Sequence, residues 1–510
     1  MGSNSSDGLH VVMAASEAVP YAKTGGLADV VGALSTALAK LGHRVTLLLP
    51  GYRTLLAPKD RRVAAQFSVS VGGVAAGVSI EEEYVTVIGG LHQLRVLFVC
   101  HDPHFARPGL YQQDHHDYPD NLDRFTLFCR AVLQAVHVLV DREREKIDIL
   151  HLHDWQTALC AVYLKALSLE HDSLRSIKTL LTVHNLGYQG IFPGHEFMKT
   201  GLPSSLFSLG GLEFYGAVNC LKGGIIFSDA VSTVSPTYAR EILTAEYGCG
   251  LEGVLASRTS GVSGITNGID EVMWDPRHDA YLPAQYHADD LSGKHVCKRE
   301  LQRELGLPTL DVPLLAVIGR LTFQKGFDLL LDILPELMAL DLQLVVLGTG
   351  DSHLEQQFLR AKESYPQTIG LTLGFNEALA HRIEAGSDML IMPSRYEPCG
   401  LSQLYSLRYG TVPIVRRTGG LADTVTPFRP STIKSGCATG FHFIDPSPDA
   451  LLSAILLALH IYEERDVWRS LVTSGMNADL SWDQSARSYV GLYGRLREVE
   501  GENRRLPGIE

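Results

Sequence analysis

The chain has 510 residues, of which 45% are hydrophobic and 20% are charged. That length fits two or more domains, and the composition is that of a folded globular protein, neither disordered nor collagen-like. The 57 acidic side chains outnumber the 44 basic ones, and the formal charge of −13 disfavours nucleic acid as a partner.

Cysteine spacing, hydropathy and the N-terminal residues indicate the cellular compartment in which the protein works. The eight cysteines are scattered singly without a C-x-x-C pair, so we expect reduced thiols. The richest apolar stretch, which begins at Leu329, is interrupted by Asp332, Pro335, Glu336 and Asp341, and this excludes a membrane-spanning helix there. The polar start MGSNSSDG lacks the profile of a secretion signal. We therefore expect no membrane partner and a cytoplasmic protein, or a plastid protein if a transit peptide has been removed.

Short apolar runs alternate with segments of helical period along the chain, which is typical of parallel α/β units. LHVVMAA predicts the first strand, apolar residues then recur at helical spacing from Leu27 to Leu41, and RVTLLLP predicts the second strand. Further strands of this half are predicted near Leu94, Ile147, Ile177 and Ala230.

A second series of strands follows a polar stretch that starts at Asp275. Its members are PLLAVIG, LQLVVLG, IGLTLGF, DMLIMPS and TVPIVRR. We therefore predict the α/β class, with two Rossmann-like, doubly wound domains facing a cleft. The predicted domains span residues 1–264 and 265–480, and residues 481–510 are predicted to form a helix that packs back on the N-terminal domain.

Polar and glycine-rich sequences follow the predicted strands, at the ends where doubly wound domains bind ligands. In the first half they are KTGGL from Lys23, HDWQ from His153 and HN at His184. In the second half they are TNGID from Thr266, GRLTFQK from Gly319, GTGD from Gly348 and SRYEPCGL from Ser394.

The hexapeptide TGGLAD occurs twice, at residues 24–29 and 418–423, and each copy follows a cation, Lys23 or Arg417. One interpretation is helix-start chemistry, in which glycine permits the turn and threonine caps the helix. The other is a pair of phosphate-binding loops, because exposed amides and a positive helix dipole favour an anion.

Three charged residues of the second half could carry chemistry. Arg320 and Lys325 stand five residues apart and could neutralise a diphosphate leaving group, or they could be solvated cations at a helix start. Glu397 is held between a strand and the rigid Pro398, and it could bind sugar hydroxyls or stabilise an oxocarbenium charge.

Metal and hydrolase chemistry have less support in the sequence. His151-x-His153 and the run from Asp114 to Asp117 do not match a spaced zinc motif, and no D-x-D is present to hold a metal on a nucleotide diphosphate. There is also no G-x-S-x-G elbow and no P-loop motif.

In this order, the motifs resemble those of the glycogen and starch synthases, from about His10 to near Arg497. The matching stretches are KTGGLADVVGAL, HDWQT, VHNLGYQGIFP, KGGIIFSDAVSTVSPTYAREI, TNGID, GRLTFQKGFDLL, RYEPCGLSQLYSLRYGTVPIVRRTGGLADTV and the closing SW. The resemblance implies a GT-B arrangement and retaining transfer of glucose from ADP-glucose to the non-reducing 4-hydroxyl of an α-1,4-glucan. It also implies that no metal or other cofactor is needed. LKGGIIFSD, VRRTGGLADTV and HNLGYQG look most like bacterial glycogen synthases.

The resemblance also assigns roles around the reacting bond. Arg320 and Lys325 would offset charge on the departing ADP, and Glu397 would bind the glucose hydroxyls. His184 would lie beside the anomeric carbon as an electrostatic partner, and Asp154 matches another cleft position. Because no carboxylate nucleophile is agreed for the family, a front-face displacement is the implied route to retention.

The remaining residues are implied to bind substrate. Lys23 and the amides of Gly25 and Gly26 would contact the donor phosphate, and Phe375 would stack on adenine. The backbone of the segment after Glu397 would hold sugar and phosphate. The other implied positions are Asp29, Asn267, Tyr118, Asn121, Cys399, Gly400, Leu401 and Ser402.

Several alternatives remain open at this point. The donor could be UDP-glucose, or the enzyme could be a plastid starch synthase. The chain could also be a catalytically silent glucan-binding relative, although the cations expected at a leaving group are intact. A glucan phosphorylase would need pyridoxal phosphate on a lysine, and its sequence context is missing. The sequence does not predict the oligomeric state.

Overall fold

The computed structural model describes residues 8–53, 61–114, 116–167 and 172–498. Contacts between Cα atoms divide the chain into two units. Unit 1 comprises the described parts of Met1–Val234, Ala239–Ile265 and Trp482–Glu510. Unit 2 comprises Ser235–Tyr238 and Thr266–Ser481.

Unit 1 is built on a nine-stranded sheet. Seven parallel strands are followed by two antiparallel ones at one edge. The first strand along the chain is buried at all five positions, which explains why every residue after His10 is apolar. The spatial order is Val262–Gly264, Ala230–Thr233, Lys178–Val183, Ile149–His153, His10–Ala14, Arg44–Pro50, Leu94–Cys100, Val74–Val85 and Arg62–Val71.

The helices of unit 1 cover this sheet. The α-helices lying wholly in unit 1 are Gly26–Lys40, Asp102–Phe105, Asn121–Asp141, Trp155–Leu167, Cys220–Phe227, Glu252–Ala256 and Trp482–Glu498. A further short helix, Pro236–Glu241, spans the unit boundary. Shorter 3₁₀ turns are Asp172–Leu174, Gly194–Thr200 and Ser204–Leu206, and small strands are Gln112–Gln113, His116–Asp117, Ile191–Pro193, Glu213–Phe214 and Ala217–Asn219.

The last helix, Trp482–Glu498, belongs to the core of unit 1. Its Ala486, Tyr489 and Tyr493 are fully buried in the same hydrophobic cluster as the strand His10–Ala14 and the helix Gly26–Lys40. The Tyr493 hydroxyl also lies 2.8 Å from His151 Nδ1 in the middle of the sheet. This polar contact fixes the helix over the strand that leads to the HDWQ sequence.

Unit 2 is built on a six-stranded parallel sheet. The spatial order is Ile369–Leu373, Gln343–Gly348, Leu314–Ile318, Met389–Met392, Val412–Arg416 and Phe441–Phe443. Its helices are Ser292–Glu304, Phe327–Asp332, Leu334–Met338, Ser352–Ser364, Glu377–Gly386, Ser402–Arg408, Gly419–Thr424, Pro430–Lys434, Pro448–Glu463 and Arg465–Met476, with a 3₁₀ turn at Phe323–Lys325.

The predicted fold class, α/β with two Rossmann-like parallel sheets, is confirmed. The sequence interpretation missed the antiparallel pair Arg62–Val71 and Val74–Val85, whose residues are mostly half-buried or exposed. Among the described helices, none is long and apolar enough to cross a membrane.

Candidate active site

The first TGGLAD copy follows the strand His10–Ala14 in unit 1, and its last four residues form the first turn of the helix Gly26–Lys40. Lys23 Nζ lies 2.8 Å from the Asp29 carboxylate, so two predicted site residues form an ion pair. A Cβ built on Gly25 would meet no atom within 4 Å. The space around this glycine is therefore open, and packing within unit 1 does not require a glycine here.

Thr24 does not cap the helix. Its backbone N–H and its hydroxyl both donate to the Glu17 carboxylate, at 2.5 and 2.9 Å. Tyr111 donates to the same carboxylate at 2.8 Å, and Glu17 is only 3% exposed. The interpretation that threonine caps the helix is therefore wrong for this copy. Instead, the Glu17 carboxylate, which the sequence did not indicate, fixes the loop by accepting hydrogen bonds from Thr24.

The second TGGLAD copy has a different environment in unit 2. The Gly420 amide donates to the carbonyls of Glu397 and Pro398, both at 3.1 Å. A Cβ on Gly420 would overlap the Cys399 carbonyl, and Gly419 packs as closely against Glu397. Thr418 makes no side-chain cap here either. This glycine pair lets the helix Gly419–Thr424 approach the EPCG segment, and the Gly420 amide is committed to that packing.

Asp154 follows the strand Ile149–His153 with a left-handed φ of 59°. Its Oδ1 accepts the His184 backbone N–H at 2.7 Å, and its own N–H donates to the Thr182 carbonyl. Burial raises the pKa of Asp154 to about 7, although the N–H groups of His184 and Asn185 oppose that shift. Asp154 therefore anchors the loop that carries His184.

The His184 imidazole is tied to a second histidine. Its Nε2 lies 2.9 Å from Nδ1 of His153, the last residue of the strand Ile149–His153. Burial lowers the pKa of His184 to about 3, so the ring is neutral at physiological pH. A neutral imidazole can act by hydrogen bonding, whereas a cationic role for it is disfavoured.

Two of the predicted substrate-binding residues, Asn121 and Tyr118, make contacts within unit 1. The buried Asn121 donates to the Tyr111 carbonyl at 2.9 Å and accepts from Arg124 at 2.7 Å. The Tyr118 ring has the guanidinium groups of Arg107 and Arg124 over it, at 4.9 and 4.8 Å from its centroid. These contacts commit the Asn121 amide to the loop that precedes its own helix.

Glu397 follows the strand Met389–Met392 in unit 2 and is only 5% exposed. Its Oε2 accepts from Lys325 Nζ at 2.6 Å and from the Ser394 hydroxyl at 2.9 Å. The structure therefore brings two of the predicted catalytic residues, Lys325 and Glu397, into direct contact. A cation at this distance offsets part of the cost of removing the carboxylate from water.

The segment after Glu397 turns its carbonyls inward. The buried Gln403 donates to the carbonyls of Cys399 and Gly400, at 2.9 and 3.0 Å, and Gly400 adopts a left-handed φ of 73°. Within the described ranges, no backbone carbonyl accepts from the amides of Gly400 and Leu401. These amides, together with Ser402 at the start of the next helix, are available to an anion or a sugar.

Asn267 and Cys399 pack against each other. N–H groups of Asn267 donate to the Cys399 thiol, whose burial raises its pKa to about 12. The Asn267 Oδ1 atom is buried and has no hydrogen-bond partner in the part of the chain that the structure describes. A buried acceptor of this kind is suited to a ligand hydroxyl or a bound water.

Arg320 and Phe375 are exposed. Arg320 follows the strand Leu314–Ile318, and the Phe375 ring, 79% exposed, lies between the strand Ile369–Leu373 and the helix Glu377–Gly386.

Within residues 8–53, 61–114, 116–167 and 172–498, no group of three His, Cys, Asp or Glu side chains could hold a metal ion. Of the run from Asp114 to Asp117, His115 lies outside the described residues.

Comparisons with known proteins identify relatives over nearly the whole chain. Residues 10–257 match the starch synthase catalytic domain, and residues 298–471 match the glycosyl transferases group 1. The chain is 46% identical to a glycogen synthase of Anaeromyxobacter sp., over 96% of this chain and 99% of that protein. It is 42% identical to the glycogen synthase of Koribacter versatilis, with the same two coverages.

Solved structures give the same assignment. The catalytic domain of starch synthase IV from Arabidopsis thaliana, bound to ADP and acarbose, matches with a TM-score of 0.86 and 36% identity. That match covers 96% of this chain and 99% of the other. A sucrose-phosphate synthase from Thermosynechococcus elongatus matches with a TM-score of 0.60 at 17% identity, which shows a shared fold alone.

Proposed function

Because this chain belongs to the glycogen and starch synthase family of glycosyltransferases, we propose that it transfers glucose from ADP-glucose to the non-reducing 4-hydroxyl of an α-1,4-glucan. The single observation that carries the proposal is the segment from Glu397 to Leu401. It combines a buried carboxylate, which Lys325 contacts, with two backbone amides that have no backbone acceptor among the described residues. A glucosyl phosphate needs these groups, since its hydroxyls donate and its phosphate oxygens accept.

Each group has a defined task in this proposal. The Glu397 carboxylate accepts hydrogen bonds from the glucose hydroxyls, and the amides of Gly400 and Leu401 donate to phosphate oxygens. Lys325 pairs with Glu397 and, with Arg320, offsets the charge that develops on the departing ADP. Asn267 supplies the buried Oδ1 atom as a further acceptor for a hydroxyl.

Unit 1 contributes a second set of groups to the proposal. The open space at Gly25 lets a phosphate approach the first amides of the helix Gly26–Lys40, where the helix dipole also favours an anion, whereas the Gly25 amide donates to Glu17. Lys23, held by Asp29, lies in the same loop. His184 serves as a neutral hydrogen-bonding group, and Asp154 fixes its backbone.

The transfer is proposed to retain the anomeric configuration by a front-face displacement. The C1–O bond to the phosphate breaks, the acceptor 4-hydroxyl oxygen bonds to C1 on the same face, and a departing phosphate oxygen takes the hydroxyl proton. The charge on that phosphate is offset by Lys325 and Arg320, so the proposal needs no metal. Neither a protein nucleophile nor a cofactor is required for this displacement.

The experiment measures incorporation of labelled glucose into glycogen from ADP-glucose and, separately, from UDP-glucose, with EDTA present. Glu397→Ala and Lys325→Ala should abolish incorporation, whereas Glu304→Ala, which breaks the exposed ion pair with Arg382, should leave it unchanged. Digestion of the labelled product by an α-1,4-specific amylase reports the configuration of the new bond. Transfer from UDP-glucose alone would overturn the donor assignment, and transfer from neither donor would favour a silent glucan-binding protein.

A further inference from the structure

The bond between His153 and His184 constrains where His184 carries its hydrogen. His153 Nδ1 and His184 Nε2 are 2.9 Å apart, and a hydrogen bond between two imidazole nitrogens needs one donor and one acceptor. Two neutral arrangements satisfy this bond. They differ in whether His184 presents an N–H or a bare nitrogen at its other ring position.

The surroundings of His153 favour one arrangement. His153 is fully buried, and its Nε2 has no hydrogen-bond partner among the described residues. An N–H at that atom would be a buried donor without an acceptor, and orphaned buried N–H groups are rarer in proteins than under-satisfied acceptors. The hydrogen of His153 therefore belongs on Nδ1, from which it donates to His184 Nε2.

Charge does not alter this arrangement. Burial lowers the pKa of His153 well below its usual range, and the neighbouring imidazoles of His151 and His184 act in the same direction. The Asp154 carboxyl accepts the backbone N–H of His184, so its hydrogen bond goes to the loop and not to either imidazole of this pair. The pair is therefore neutral.

We propose that His153 is a positioning residue that fixes His184 as the tautomer with its hydrogen on Nδ1, from which it donates a hydrogen bond to the donor sugar. The His184 side chain is only partly buried, and its Nδ1 has no hydrogen-bond partner in the described part of the chain. That nitrogen is thus open to a ligand. The identity of the recipient as a sugar rests on the proposed function, whereas the tautomer does not.

His151 offers a matched control on the same strand. It is as buried as His153, and the two ring centroids are 4.2 Å apart. Its nitrogens bond to the hydroxyls of Thr182 and Tyr493, at 2.7 and 2.8 Å, and not to His184. A substitution at His151 therefore disturbs the same core without touching the His184 tautomer.

The kinetic test uses two isosteric substitutions that differ in donor character. The amide of His153→Asn can still donate to His184, and we expect it to keep kcat within an order of magnitude. The carboxylate of His153→Asp can only accept when it is ionised, so the variant is assayed at pH 9, above the pKa of about 7 that burial gives the adjacent Asp154. Under that condition the His184 hydrogen moves to Nε2, and we expect kcat to fall ~10²-fold, as when one preorganised donor is lost. His151→Asn should behave like His153→Asn.

A spectroscopic readout separates positioning from mere stability. In the full chain labelled with ¹⁵N-histidine, the His184 signals are assigned by their loss in His184→Gln, and the ¹⁵N shifts report which nitrogen carries hydrogen. We expect Nδ1–H in the wild type and in His153→Asn, and Nε2–H in His153→Asp. Nε2–H in the wild type would overturn the proposal, as would full activity of a folded His153→Asp.

The outcomes distinguish this inference from the proposed function. If the wild-type chain transfers no glucose from any donor, the proposed function fails while the tautomer is still decided by the wild-type spectrum. If His153→Asp does not fold, as judged by circular dichroism, the wild-type and His153→Asn spectra decide the question. If His151→Asn lowered kcat as much as His153→Asp does, the effect would be one of core packing, and His153 would have a structural role only.

Discussion

Lys325 Nζ lies 2.6 Å from the Glu397 carboxylate, and both side chains are largely removed from water, at 20% and 7% exposure. Losing the lysine would leave a buried carboxylate whose remaining partner among the described residues is the Ser394 hydroxyl. We expect Lys325→Met to lower the free energy of unfolding by about 1–3 kcal/mol, the cost of an unsatisfied buried group. Chemical denaturation at neutral pH measures this change.

The double variant Lys325→Met with Glu397→Gln provides the control. The neutral amide no longer needs a cation, so we expect most of the lost stability to return while glucosyl transfer stays absent. A Lys325→Met protein as stable as the wild type would show that Glu397 does not depend on this lysine.

The two TGGLAD copies predict opposite results for the same substitution. Gly25→Ala places a methyl group in open space, so the folded state should be unaffected while the affinity for the nucleotide sugar falls. Gly420→Ala places the methyl group on the Cys399 carbonyl, so it should destabilise unit 2. Thermal unfolding and ADP titration of both variants test this pair. Equal stability of the two variants would contradict the assignment.

Identical hexapeptides thus have different environments in the two units, and the sequence could not show this. The fold was easier to predict than the site, since apolar runs such as the one in the strand His10–Ala14 indicated the buried parallel strands. The edge pair Arg62–Val71 and Val74–Val85 was missed because its strands are only partly buried. The Gly72-Gly73 turn between them, with both φ values positive, was the available signal.

Only part of the candidate site could be predicted from the sequence. Residues that follow strands, such as Glu397 and His184, could be found because parallel strands bring their carboxyl ends to one edge. The side chains that hold the loop of the first TGGLAD copy could not be found. Glu17 and Tyr111 are separated by 94 residues, and only the folded chain shows that they share a hydrogen bond.

The raised pKa of Asp154 predicts how the stability of the folded chain depends on pH. Burial raises its pKa from 3.8 to about 7, so the folded chain binds this proton more tightly than the unfolded chain does. The contribution of Asp154 to stability is therefore complete below about pH 4, falls as the pH rises to about 7, and is constant above. Asp154→Asn does not titrate, so its stability relative to the wild type should rise across the same window.

Denaturation of both proteins at several pH values between 4 and 9 measures this difference. A parallel pH dependence of wild type and Asp154→Asn would contradict the raised pKa. Glu384, which is also buried with a raised pKa, is present in both proteins, so its contribution cancels in the comparison.

The Cys399 thiol should react slowly. It is buried with a pKa of about 12, whereas Cys249 and Cys437 are exposed. Alkylation at pH 8 followed by mass spectrometry should label Cys249 and Cys437 first, because the thiolate is the reacting form. We expect ADP-glucose to slow labelling of Cys399 alone. Labelling of Cys399 that is unchanged by ADP-glucose would place the nucleotide sugar elsewhere.

Phe375 offers a test of nucleotide recognition that is independent of the fold. Its ring is 79% exposed, so replacing it removes little internal packing and should leave the melting temperature unchanged. If adenine stacks on the ring, Phe375→Ala should weaken ADP binding by about 1–3 kcal/mol, the usual contribution of base stacking. Phe375→Tyr keeps the aromatic face and should bind ADP as the wild type does. Calorimetric titration of the three proteins with ADP and UDP measures the effect, and unchanged ADP affinity in Phe375→Ala would exclude Phe375 from the nucleotide site.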